Sequence, residues 1–313
     1  MKADLHVHSW FSTENRDLAF LRSRDCYSPP DQIYRTARAR GMDLVTLTDH
    51  DTFDGCLDFL ATHPHAADFL PGEEVSCRFP DGDIEVHLGV YGMTEALHRE
   101  LQPLRGNVFE VTACLREAGV VFALNHLLHF YRFQAPLESY LRLLLEVPAL
   151  EARNGAMCRS QNLLIEECAR LQSPPRALVG GSDAHTLRRV GRTWTEVPGA
   201  ATAGEFLEGL RAGNCRPGGE HGGTIALAGD VYGVVFKYMA SLAGAGPTDH
   251  SGLERLGCAT FSVLSLPFQF IPLLVAVIAK TRERRAVART AEQLATRVPS
   301  LATAAFDTVR GSE

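Results

Sequence analysis

Short runs rich in β-branched and aliphatic residues recur along the first part of the chain, and each delivers a histidine or an acid. They are ADLHVHS at 3–9, DLVTLTDHDT at 43–52, FLPGEEVS at 69–76, IEVHLGVYG at 84–92, VVFALNH at 120–126, PALEARNG at 148–155 and RALVGGSDAH at 176–185. Helix signals separate them. Ser28 as N-cap, Pro29, Pro30 and Asp31 open one helix that Gly41 ends; Asn107 and Glu110 open another that Gly119 stops. Residues 137–146 and Arg159 to about Leu171, ahead of Pro174-Pro175, have helical periodicity, and Thr202 with Glu205 makes a capping box. Strands alternating with helices over short connections predict a parallel sheet wrapped by helices. Polar groups at successive strand ends predict a site at the sheet's carboxyl edge. A barrel gathers such ends onto one mouth more readily than an open sheet, so the expected fold class is α/β, a (β/α) barrel.

The amino-terminal run carries the chemistry most plainly. Asp4, His6 and His8 alternate with Leu5 and Val7, and residues two apart on a strand share a face, so both imidazoles point one way. Two histidines on one face can grip one metal ion. The later strand ends add His50, Glu73 or Glu74, His87, His126, Asp183 and His185. One ion takes about four to six ligands, so this set is sized for two or three, with a glutamate as a natural bridge. His63, His65, His98, His129, His221 and His250 lack this placement and read as surface or local hydrogen-bonding residues. Arg153, Arg188, Arg189 and Arg192 lie near strand ends and read mainly as solvated cations.

Charge narrows the class of partner. The chain of 313 residues has a net charge of -6, and residues 280–313 hold seven Lys/Arg against four Asp/Glu, which leaves -9 on residues 1–279. An acidic catalytic portion suits cations and not a nucleic-acid backbone, so no nucleic-acid partner is expected. Eight cysteines are scattered without a CxxC pair, and no apolar run follows Met1, which predicts reduced thiols in the cytoplasm.

Residues 223–313 read as a helical region distinct from a catalytic domain at 1–222. A helix-like stretch from Thr224 ends at GAGPTDHSG. Leu256 to Ala279 then carries no charge, Pro267 and Pro272 interrupt it, and Lys280, Arg282, Arg284 and Arg285 follow. A single crossing would put that basic flank on the wrong side, so a bent or in-plane insertion is expected. Residues 256–285 would meet the inner face of the membrane and make the protein peripheral there.

Taken in order, DLHVHS, LTDHDT, PGEEVS, the His87 strand, NH at 125–126 and GGSDAH resemble the motifs of the PHP (polymerase and histidinol phosphatase) domain family over about residues 3–212. The run at 6–55 and LRGNVFE at 104–110 resemble a bacterial subgroup of predicted metal-dependent phosphoesterases. The resemblance implies a distorted seven-stranded (β/α) barrel with a C-terminal helical extension and two or three Mn, Zn or Fe ions. The ligands it implies are His6, His8, His50, Glu74, His87, His126, Asp183 and His185, all but His87 also assigned to catalysis, with Asp49 as a supporting partner. Two departures stand out. Thr13 occupies the place of an expected acid after HxHS, leaving Glu14 or Asp17 nearby for a third ion, and Leu127 replaces a proline. The implied activity is hydrolysis of a phosphoric ester of a small metabolite or nucleotide, with a bridging water brought toward a pKa of about 7 by the metals. The competing readings are a 3′–5′ nuclease or an amide hydrolase on the same scaffold, and a non-catalytic metal-binding module at a membrane.

Overall fold

A computed structural model describes residues 1–12, 23–80, 84–127, 137–170, 176–268 and 270–297. Strands β1 (Lys2–Asp4), β2 (Leu44–Leu47), β3 (Phe69–Arg78), β4 (Glu85–Tyr91), β5 (Val121–Leu124), β6 (Ala149–Asn154), β7 (Ala177–Gly181), β8 (Thr193–Glu196) and β9 (Arg216–Gly219) form one sheet. Their order is β7-β6-β5-β4-β3-β2-β1-β8-β9. The fold class is the α/β barrel that the sequence predicts, with nine strands among the described residues where the resemblance implies seven. The sheet curls until its ends meet, and side chains close the seam. The Gly180 amide donates to Thr195 Oγ1 at 2.7 Å, and that hydroxyl donates back to the Gly180 carbonyl at 2.9 Å.

The sheet is not wholly parallel. β4 runs antiparallel to both β3 and β5, and β8 to β1 and β9. Only residues 79–84 separate β3 from β4, too few for the helical crossover that a parallel partner needs, so the chain must reverse. The other neighbours, β1 with β2, β2 with β3, β5 with β6 and β6 with β7, are parallel.

Helices α1 (Pro30–Ala39), α2 (Asp54–Thr62), α3 (Glu95–Leu101), α4 (Val108–Glu117), α5 (Leu137–Glu146), α6 (Arg159–Arg170) and α7 (Ala203–Arg211) surround the sheet. Local rules place most of their ends. Asn107 accepts from the Phe109 amide at 3.1 Å, Thr202 and Glu205 form the expected capping box, and Gly119 takes φ 65° just past α4. One cap differs: Pro29, not Ser28, precedes α1, because Pro30 needs no donated hydrogen bond at the first helical position. Pro174 and Pro175 lie outside the described residues. The larger core cluster fills the space between sheet and outer helices. A smaller one, including Leu5, Leu44, Ala123, Ala149 and Val179, is joined by Phe206 and Leu210 of α7. α7 sits under the amino ends of the strands, where Arg211 donates to the Gly119 carbonyl at 3.0 Å. The opposite, carboxyl-edge mouth is left to polar residues.

Three helices follow: α8 (Thr224–Leu242), α9 (Gly252–Leu264) and α10 (Ile271–Arg297). The uncharged stretch 256–279 is thus two helices broken at Leu266–Phe268, where Pro267 sits.

Candidate metal centre

His6 and His8 leave the end of β1 with their rings fully buried and their Nε2 atoms 3.1 Å apart. Both Nδ1 atoms are engaged elsewhere. His6 Nδ1 donates to Glu151 Oε1 at 2.8 Å, and His8 Nδ1 lies 3.1 Å from Ser12 Oγ. The Glu151 carboxylate, which can only accept, selects the neutral His6 tautomer whose Nε2 offers a lone pair, and the Ser12 contact turns His8 Nε2 the same way. The two Nε2 atoms then converge on each other and on Glu74 Oε2, which is 3.0 Å from His6 and 3.4 Å from His8. Electron-rich atoms packed so closely in a dry space are mutually repulsive unless a cation lies among them.

Glu74 is the centre of the arrangement. It comes from the middle of β3 and is fully buried. Its Oε2 also lies 3.1 Å from His50 Nδ1, and its Oε1 lies 3.0 Å from His126 Nε2 and 3.2 Å from His87 Nδ1. His87 Nε2 is turned to Glu85 at 3.3 Å, and its buried Nδ1 has no hydrogen bond of acceptable geometry. Facing Glu74 in this way, Nδ1 is the atom this ring would offer to an ion held there. Asp183 Oδ1 stands 3.6 Å from His6 Nε2, 3.5 Å from His8 Nε2 and 3.6 Å from His185 Nδ1. His185 Nδ1 lies 3.1 Å from the Asp183 carbonyl oxygen, so its Nε2 is free to face the mouth.

Four groups bring ligand atoms within 4.8 Å of one another: His8, Asp25, His50 and His185; His6, His126 and Asp183; His6, His8 and Glu74; His50, Glu74 and His87. All eight histidines and acids named from the sequence as ligands lie in these groups. Glu74 belongs to two of these groups, and a carboxylate with two oxygens suits a position between two ions. The donor set of imidazole and carboxylate fits divalent ions such as Mn, Zn or Fe.

Asp25 was not anticipated. Its Oδ2 lies 3.8 Å from both His50 Nε2 and His185 Nε2. Glu14 and Asp17, named for this role, lie outside the described residues, and the acid found at the mouth is eight residues beyond Asp17. It sits on an irregular stretch of sequence, so neither periodicity nor spacing marks it. His87 reaches the mouth from the amino-terminal half of β4, because that strand is antiparallel and starts where its neighbours end.

A second layer holds these side chains. Asn125 Nδ2 donates to Glu74 Oε1 at 2.9 Å, and Asn154 Nδ2 bonds Glu151 at 2.9 Å and Asp183 at 3.2 Å. Asp49 does not touch an imidazole; it accepts from the Ser9 amide at 2.5 Å and hydroxyl at 2.7 Å and so fixes the backbone that carries His8. Asp4 does the same for Ser182, next to Asp183. Glu73 turns away from the cluster to His98, 2.8 Å distant. Arg153 pairs with Glu166, and Arg189 and Arg192 pair with Glu220, while Arg188 is exposed. A Cβ on Gly181 would collide with His6, which explains the glycine beside the ligand strand. His126 and Asp183 adopt left-handed φ values of 24° and 51°, as does Asp51 at 56°. Such geometry costs about 1–3 kcal/mol per residue and persists where the surroundings impose it. The His126 amide is held by Glu151 at 2.9 Å, and Leu127 in place of proline leaves the ring in position.

Electrostatics follow the packing. Burial opposes the Glu74 charge, yet the surrounding imidazoles of His6, His50 and His87 hold its carboxyl well below the ordinary range. Burial opposes the His87 charge as well, but Glu74 and Glu85 push that ring up to about 10. Burial and the neighbouring His185 bring His8 down to about 4, and burial lowers His50 strongly. Burial raises Asp25 to about 6. The floor, His6, His8 and Glu74, is closed to solvent, whereas the His185 side chain is 28% exposed, so the cluster opens on the His185 side.

Residues 161–215, from α6 to just before β9, match the family model described as PHP-associated. Among curated proteins none matches the chain. Of solved structures, PsfC from Pseudomonas syringae PB-5123 is 18% identical with a TM-score of 0.51, covering 77% of this chain and 98% of its own. A two-domain protein from Bacteroides vulgatus that contains a predicted PHP-like metal-dependent phosphoesterase is 17% identical with a TM-score of 0.48, covering 74% and 69%. An amidohydrolase from Chromobacterium violaceum is 17% identical with a TM-score of 0.47, covering 66% and 96%. Fold and donor set define a barrel built to hold a cluster of divalent metal ions. Within that barrel the likeness to the PHP-associated family model spans residues 161–215.

Proposed function

We propose that the chain is a metal-dependent hydrolase that cleaves a phosphoric ester of a small molecule. The observation that carries this reading is Glu74, whose two oxygens face separate sets of imidazoles and so suit it to bridge two ions. His6, His8, His50, Glu74, His87, His126, Asp183, His185 and Asp25 would hold the metals. Divalent ions bound there supply Lewis acidity and a nucleophilic hydroxide at neutral pH.

The chain's own residues prepare the site. Glu151 and Ser12 engage the Nδ1 sides of His6 and His8 and so aim their Nε2 atoms inward. Asn125 and Asn154 orient Glu74 and Asp183. The three carboxylates Asp25, Glu74 and Asp183 leave a net positive charge once two or three divalent ions are held, which favours a phosphate dianion entering on the His185 side. The acidic character of residues 1–279 favours a small substrate over a nucleic acid.

Reconstitution with Mn or Zn, metal analysis and an assay against phosphomonoesters, nucleoside bisphosphates, oligonucleotides and simple amides test the proposal together. Release of phosphate by protein carrying at least two ions, abolished by chelator and by His8→Ala, is the expected result. Metal-loaded protein that cleaves only amides, or nothing, overturns it.

A further inference from the structure

The C-terminal helices divide sharply in how they meet the barrel. α8 is pinned: Asp230 accepts from Thr186 at 3.0 Å and faces Arg189 at 3.7 Å, and Tyr238 and Leu242 bury against Tyr27. It is the one described helix long and apolar enough by itself to cross a membrane, at 19 residues and a mean hydropathy of 1.3, yet these polar ties hold it on the protein. The later part of α10 is pinned as well. Lys280 donates to the Ala156 carbonyl, Glu283 accepts from the Cys158 amide at 2.7 Å, and Val287 and Ala291 are buried.

Between these anchors the order of solvation reverses. Thirteen large apolar side chains from Leu253 to Ile278 are 42–85% exposed, and residues 256–279 carry no charge. On α9, Leu253, Leu256, Gly257, Thr260, Phe261 and Leu264 face solvent at helical spacing, so the apolar stripe that normally packs inward points out. Phe268 and Phe270 are exposed where the two helices break. A patch of this size on a protein surface marks a contact with something apolar. Arg282, Arg284, Arg285 and Arg289 are exposed immediately beyond it, and the acid among them, Glu283, is engaged by Lys280 and Cys158.

We infer that residues 256–278 insert into one leaflet of an anionic bilayer, with the arginines on the headgroups. Length and topology select this occupant and this depth. Thirteen residues of α9 span about 20 Å, less than the ~30 Å hydrocarbon core. The chain leaves and rejoins the same body, so it enters and exits on one side. An uncharged apolar wedge flanked by exposed arginines matches the acyl layer beneath anionic headgroups. The wedge also lies beside the metal-site loop: Cys258 and Ala259 pack on the cluster of Tyr27, Tyr238 and Leu242, two residues from Asp25, and Arg24 pairs with Asp249 at 2.6 Å.

Flotation of the full chain with vesicles of phosphatidylcholine, and of equal parts phosphatidylcholine and phosphatidylglycerol, tests this. The protein is expected to float with the mixed vesicles and far less with the neutral ones. Replacing Phe261, Leu264 and Leu274 by Glu should abolish flotation while metal content and Tm stay unchanged, since all three are exposed. Replacing Arg282, Arg284 and Arg285 by Gln should weaken binding to mixed vesicles on the order of a hundredfold, from about fivefold per basic residue. Protein that stays out of both vesicle fractions overturns the inference. So does a soluble dimer, seen by sedimentation, that Leu264→Glu disperses while vesicles bind neither form.

Discussion

The mouth of the barrel and the segment 256–278 each invert the usual order of solvation, in opposite senses. At the mouth, titratable groups are buried; along the segment, apolar ones are exposed. The mouth meets its cost internally: Glu151, Ser12, Asn125 and Asn154 hold His6, His8, Glu74 and Asp183, and the ligand atoms converge where an ion would satisfy them. The segment has no such internal answer. Its exposed area is unfavourable in water at about 25 cal/mol per Å² and is relieved only by an external apolar phase. A polar site is therefore rigid before its ligand arrives, whereas the segment is specified by composition and by two anchors. Substitutions should separate the two regions cleanly.

The largest effect is expected at the shared carboxylate. Glu74→Gln should eliminate hydrolysis and at least one ion per chain, measured by metal analysis and phosphate release, while vesicle flotation is unchanged; retention of full metal content would remove Glu74 from its bridging role. Asp25→Asn should release the ion nearest the mouth and keep those held by His6, His8 and His126, with activity falling to a residual level. Glu151→Gln should weaken metal binding about 10–100-fold by loosening the His6 tautomer, read as a rightward shift in a metal titration.

Stability sharpens the contrast. Phe206→Ala, in the smaller core, should cost about 3–5 kcal/mol, whereas Leu264→Glu on the exposed stripe should stay within about 0.5 kcal/mol, both by denaturant melts. The smallest effect is a pH dependence remote from the metals. Burial, with Arg153 and Arg159 nearby, lowers His221 to about 4, and its Nδ1 lies 2.9 Å from Asn162 Nδ2, so it accepts as a neutral ring. The unfolded ring, near 6.5, binds its proton first, so this contribution is complete above that pH and is lost as pH falls toward 4. His221→Gln should flatten the fall in Tm between pH ~7 and ~5 by about 2 °C, small because the ring is half-buried; an unchanged slope would show that the ring is not held neutral.

Much of the site was legible because the strand ends carry it. His6, His8, His50, His126, Asp183 and His185 each stand just past a β-rich run, and a barrel brings such positions together. Asp25 was illegible because it rides on a loop whose path depends on packing against Tyr238 and Asp249, far along the chain. Glu151 was visible only as another polar strand end; its role in setting the His6 tautomer needs a distance of 2.8 Å between residues 145 apart. The resemblance implied seven strands because it describes a common barrel; RTWTEV at 192–197 reads as a further strand from its β-rich composition and forms β8, which pairs with β1, while β9 pairs with β8.

By itself the sequence determined what depends on local chemistry. It specified which residues can ligate a metal, where Asn107 and Thr202 start helices, where Pro267 breaks one, and that 256–279 is uncharged with arginines behind it. Only the tertiary structure decided what depends on distance. It turned β4 around so that His87 enters the mouth from the strand's amino-terminal half, placed Asp25 against His50 and His185, and set the apolar stripe of α9 toward solvent. Periodicity states that a helix has an apolar face, but the direction of that face follows from where the rest of the chain anchors it.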